Sequence, residues 1–117
     1  MNVAEKDNPV RGMLEEELQR CLEVLDALED KEASYPKGSL NVRKKRYKDK
    51  EYVYHSLVFR EGDQVVNRHI PDGDVPELKR KLEQRDKCRL EIKAYRDRIA
   101  YLEKLLRSSR QRKGSNS

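Results

Sequence analysis

Tryptophan is absent from this sequence and phenylalanine occurs once, so six tyrosines supply nearly all its aromatic surface and Leu, Val and Ile must supply its core. With 35% hydrophobic and 42% charged residues over 117 positions, a broad globular interior is excluded; long helices sharing a narrow apolar seam suit this composition. Long apolar runs are missing too. None approaches the roughly 20 residues of a membrane-spanning helix, and no signal or transit peptide pattern is recognisable. No membrane partner is expected, and the cytoplasm is the expected location. The two cysteines, Cys21 and Cys88, lack C-x-x-C spacing and fall near apolar helix positions, so they read as small buried side chains rather than a disulfide or a metal motif.

Catalytic patterns are also missing. Ser39 and Ser56 have no paired His and Asp at suggestive positions, Cys21 has no nearby base, and there is no Walker-type loop. His55 and His69 fall on opposite faces of the expected sheet, which argues against a two-His metal site. The chain is therefore read as not an enzyme, with no cofactor and no metal.

What the sequence does have is segregated charge. The net charge of +5 divides into an acidic segment to Tyr35, a strongly basic Pro36–Lys50, a mildly acidic Glu51–Val75 and a basic remainder. A polyanionic partner for the basic parts is one implication, and a solvated, solubilising helix surface is the other.

In chain order, residues 1–12 read as a flexible leader, with Pro9 and Gly12 interrupting any helix. Leu14, Leu18, Cys21, Leu25 and Leu28 then alternate spacings of four and three, predicting a helix over 13–33 that ends before Tyr35-Pro36. From Ser39 the period becomes two, predicting strands 39–46, 51–60 and 64–70. A two-residue Gly62-Asp63 loop sets Phe59 opposite Val66, Leu57 opposite Arg68 and His55 opposite Ile70. Only that register gathers Val53, Leu57, Phe59, Val66 and Ile70 on one face, and an even loop at Lys48-Asp49 adds Leu40 and Val42. A second helix is predicted over 75–107, its seam at Cys88, Ile92, Tyr95, Ile99, Leu102 and Leu106, with a lapse at Arg85 where an apolar residue is due. Its first turns are expected on the sheet and the rest against the first helix. The fold class is thus α+β: a long antiparallel helical hairpin with a three-stranded antiparallel β-meander inserted between its helices, one domain over 13–107, and a disordered basic tail over 108–117. The same seam could equally join two chains as a homodimer.

The face opposite the apolar one carries the candidate site. Arg43 lies across from Tyr54 and Lys45 across from Tyr52, with Lys44, Arg46, Lys48 and Lys50 around the hairpin tip. Phosphates need cations and exposed bases stack on Tyr or Arg planes, so this is the arrangement of a nucleic-acid-binding β-ribbon, for DNA or RNA. The competing reading makes the tyrosines ordinary strand residues and the cations guards of an edge strand. Arg85, Arg89, Lys93 and Arg96 form a secondary basic stripe, which either tracks a nucleic-acid backbone or faces Glu16, Glu23, Asp26 and Asp30 of the first helix; the ion-pair reading is preferred.

The motifs P-K-G-S-L at Pro36–Leu40, Y-V-Y at Tyr52–Tyr54, F-R-E-G at Phe59–Gly62 and V-x-x-x-I-P ending at Pro71 give the stretch from Tyr35 to Leu106 a family resemblance. It resembles small proteins of Firmicutes and their phages and mobile elements. That likeness implies a setting rather than an activity. The meander is also similar, at the level of fold, to the three-stranded arm-binding domain of phage tyrosine integrases, which reads DNA with a sheet. The leading expectation is a non-catalytic nucleic-acid-binding protein of a phage or mobile element. The alternatives are an anti-CRISPR-like inhibitor or adaptor whose protein partner is a nucleic-acid enzyme, and a structural coiled-coil oligomer.

Overall fold

The computed structural model describes residues 9–115, with side chains as far as residue 108. It contains helix α1 (Pro9–Ala33), strands β1 (Ser39–Tyr47), β2 (Lys50–Glu61) and β3 (Gln64–Ile70), a 3-10 turn over Asp72–Asp74, and helix α2 (Val75–Ser115). The α+β architecture is as expected: two helices packed on each other, with an antiparallel sheet of order β1-β2-β3 between them in sequence. The chain divides into two compact units. One comprises the described residues up to Glu32 together with those from Cys88 onward, the other Ala33–Lys87.

Both outer helix ends run further than their patterns predict. Part of the expected leader is helical, because α1 begins at Pro9. Proline lacks only an N–H that is unpaired in a first turn anyway, and Gly12 costs a helix only about 1 kcal/mol. Residues 1–8 of that leader lie outside the described residues. Likewise α2 passes the expected stop at Arg107 and continues to Ser115, through a run with no proline and several good helix formers, whose positive charge suits a helix C-terminus. Residues 116–117 of the expected tail lie outside the described residues.

In the helical unit the helices are antiparallel. The Cys88 thiol meets the Leu28 carbonyl at 3.3 Å, whereas Arg98, further along α2, meets Glu17 near the start of α1 at 3.0 Å. Cys21 is fully buried with Ile99 and Leu102, and Leu14, Leu18, Leu25 and Tyr95 pack around them. Both thiols are free and buried, as their spacing implied. Desolvation, then the hydrogen bond to the Glu17 carboxylate, pushes the Cys21 thiol above its ordinary value, away from thiolate chemistry. The seam is filled within the one chain.

In the sheet unit the register is the one that apolar alternation demands: Phe59 pairs with Val66, Leu57 with Arg68 and His55 with Ile70. Gly62 takes φ 61, the left-handed backbone expected at the first position of a Gly-Asp loop. Leu57, Ile70, Val75 and Leu82 are buried together, with Leu40, Phe59 and Leu78 packed against them, so the first turns of α2 do cover the sheet. Val42 and Val53, expected in this core, lie on the correct face but are 48% and 42% exposed. The reason is length: β3 ends at Ile70, opposite His55, so Val42 on the outer strand is level with that end and Val53 lies beyond it, where β1 and β2 pair only with each other.

Arg85 is the main correction. Instead of belonging to a surface stripe, it is 6% exposed. One amino group of its guanidinium donates to the carbonyls of Pro36 (2.9 Å) and Gly38 (2.7 Å), while the other edge holds the Asp86 carboxylate. The charge fills the place of the missing apolar residue because it ties down the strap that starts β1. Gly38 itself has φ 102, and a Cβ there would sit 2.3 Å from the Val58 carbonyl oxygen and 2.8 Å from the Phe59 Cβ. Only glycine fits that strap.

Two variants test this anchor by denaturant unfolding. Gly38→Ala is expected to cost about 3 kcal/mol, since both the backbone conformation and the close approach to β2 are forbidden to alanine. Arg85→Met is expected to cost about 3 kcal/mol, since it leaves two carbonyls unsatisfied.

Candidate nucleic-acid interface

Beyond the end of β3, residues 43–54 form a two-stranded ribbon in which every residue is exposed. Its cross-strand pairs place Arg43 opposite Tyr54, Lys45 opposite Tyr52 and Tyr47 opposite Lys50. Alternation puts these six side chains on one face. Lys44 and Arg46 belong to the other face, beside Val53 and Glu51, so the ribbon separates them from the rest of the predicted set. Lys48 sits in the turn, with Asp49; both have left-handed backbone, at φ 50 and φ 64, as a two-residue loop of type I′ needs.

The tyrosines are not covered by the helices. Tyr47, Tyr52 and Tyr54 are all exposed, Tyr47 the most at 63%. Tyr47 does not figure in the site expected from sequence, although its parity with Arg43 and Lys45 marks it. Cations stand over two of the rings, Lys45 at 5.9 Å from the Tyr54 centroid and Lys48 at 5.4 Å from that of Tyr47. The Tyr54 and His69 rings are tilted, 6.5 Å apart. A concavity of about 320 Å³ lies here, lined by Arg43, Lys45, Tyr54, His55, Ser56, Asn67 and His69.

Ion pairing separates this ribbon from the secondary basic stripe. On α2, Arg89 pairs with Glu32 at 2.9 Å, Arg96 with Glu29 at 3.0 Å, and Lys93 with Asp97 at 3.1 Å. Only Arg89 and Arg96 thus meet the first helix, at Glu32 and Glu29 rather than at the four acidic residues named from sequence, while Lys93 pairs within α2. Arg85 is buried and has left the stripe altogether. On the ribbon, Lys44 pairs with Glu51 at 3.8 Å. Among the described residues, Arg43, Lys45, Arg46, Lys48 and Lys50 have no carboxylate partner.

His55 and His69 lie on opposite sheet faces, since His69 pairs with Ser56. Among the described residues no group of three or more His, Cys, Asp or Glu converges as a metal site would, and no described helix is long and apolar enough to cross a membrane. No protein-family model, curated protein or solved structure matches the chain.

Because the ribbon side chains bury little and the variant removes only two cross-strand contacts with tyrosines, Arg43→Ala combined with Lys45→Ala is expected to lower the unfolding free energy by about 1 kcal/mol, well short of Arg85→Met. The same denaturation series that registers Arg85→Met checks this.

Proposed function

We propose that this chain is a non-catalytic, cytoplasmic nucleic-acid-binding protein of a phage or mobile element, which presents the β1–β2 ribbon to DNA or RNA. One observation carries the reading. Among the described residues, the cations of the α2 stripe are paired with carboxylates, yet five on the ribbon have none and are interleaved with three exposed tyrosines. Unpaired cations on an exposed ribbon release counterions when they meet phosphates, and tyrosine faces accept bases of any sequence. The tip supports the reading too. Asn, Asp and Gly are the residues preferred in a type I′ turn; Asp49 fits, whereas Lys48 holds left-handed backbone, so a cation is kept at the tip at some conformational cost. The phage or mobile-element setting rests on the P-K-G-S-L, Y-V-Y and F-R-E-G resemblance.

Fluorescence anisotropy with labelled single-stranded DNA, duplex DNA and RNA across a salt series tests the proposal. Binding that weakens steeply with salt is expected. Arg43→Ala with Lys45→Ala is expected to weaken it for every sequence, lowering the salt slope by about one for each phosphate that the variant no longer neutralises. No binding at low salt overturns the proposal and directs the search to a protein partner.

A further inference from the structure

The concavity beside the ribbon differs from the ribbon itself. Ser56 lies at its centre in the sheet, paired with Asn41 on β1 and His69 on β3, and its short side chain leaves a dip between larger neighbours. One side of the dip is cationic, with Arg43 and Lys45, neither of which has a carboxylate partner among the described residues. Another is aromatic, with Tyr54 and His69 at 6.5 Å. Ser56 and Asn67 add a hydroxyl and an amide, between them able to donate to and accept from the edge of a base. A concavity of about 320 Å³ stands at the lower end of the roughly 300–1,000 Å³ of small-ligand sites, which suits one nucleotide and not a double helix.

We propose that this concavity is a nucleotide subsite for single-stranded nucleic acid: an unstacked base packs against Tyr54, its edge meets Ser56 and Asn67, and its phosphate lies on Arg43 and Lys45. This rests on the nucleic-acid reading above and sharpens it. Tyr54 is 43% exposed even with His69 and Lys45 beside it, so ring surface remains for a base. A base paired inside a duplex has no face to offer, so the subsite selects single strands.

The test uses the full chain and four fluorescein-labelled twelve-residue strands at low salt: oligothymidylate, oligouridylate, and abasic strands of each sugar type. The abasic strands keep the phosphates and remove the stacking surface. Base-bearing strands are expected to bind about ten-fold tighter than abasic ones of the same sugar, and the two sugar types separate a DNA ligand from an RNA ligand. Tyr54→Ala is expected to bring that ratio close to one while leaving abasic binding within two-fold. Should Tyr54→Ala fail to fold, Asn67→Ala serves in its place, with loss of part of the preference expected. Equal binding of base-bearing and abasic strands by the parent protein overturns the subsite and leaves the ribbon's nucleic-acid function standing. So does a preference untouched by the folded variants. Binding of none of the strands, nor of a duplex, overturns both.

Discussion

A buried guanidinium holds the start of the sheet. Arg85 on α2 reaches the carbonyls of Pro36 and Gly38, two groups in an irregular strap with no ladder partner to satisfy them. The strap passes so close to β2 that the Gly38 position excludes any side chain. Once it is fixed, β1 begins at Ser39 in one register, and that register sets every later pairing as far as the tip. A charge in so dry a place survives because four of its donor bonds are satisfied at once, two by carbonyls and two by the Asp86 carboxylate. Lysine, with a single head group, cannot hold both sides.

The same construction accounts for the exposed ribbon. The hydrophobic material of the sheet unit is concentrated where β3 and the first turns of α2 meet β2, around Leu57, Ile70, Val75 and Leu82. There β2 pairs on both sides. Past His55 it pairs only with β1, and no described apolar cluster includes Val42 or Val53. A two-stranded ribbon without a core keeps its shape through backbone bonds and cross-strand side-chain pairs, here tyrosines beside cations. Such a surface can hold unpaired positive charge at little cost, since the charges stay in water until a polyanion replaces it.

Much of this was legible. Period-two alternation, combined with the rule that a one-residue slip inverts every side chain, determined the sheet register, and with it the pairs Arg43–Tyr54 and Lys45–Tyr52. Heptad spacing likewise located Cys88, Ile92, Ile99, Leu102 and Leu106 on the buried side of α2. Other features were not legible, for identifiable reasons. Pattern places Val42 and Val53 on a face but cannot say how far that face is covered. Charge marks Arg85 as a surface residue, although it is the lapse in the seam at that position that carries the signal. Helix starts at a proline and helix ends in a basic run look like breaks in composition, while the backbone tolerates both.

The sequence by itself determined the order of elements, the faces of the strands and the seam of the helices, because each follows from a local period of apolar side chains. Tertiary structure alone decided which charges meet a partner from a distant part of the chain. Arg89 and Arg96 find Glu32 and Glu29, and Arg85 finds two carbonyls, all from residues more than 40 positions away, while Arg43 and Lys45 find no carboxylate among the described residues. Pairing falls off over a few ångströms between groups that the chain brings together only when folded, and no periodicity along the sequence records that distance.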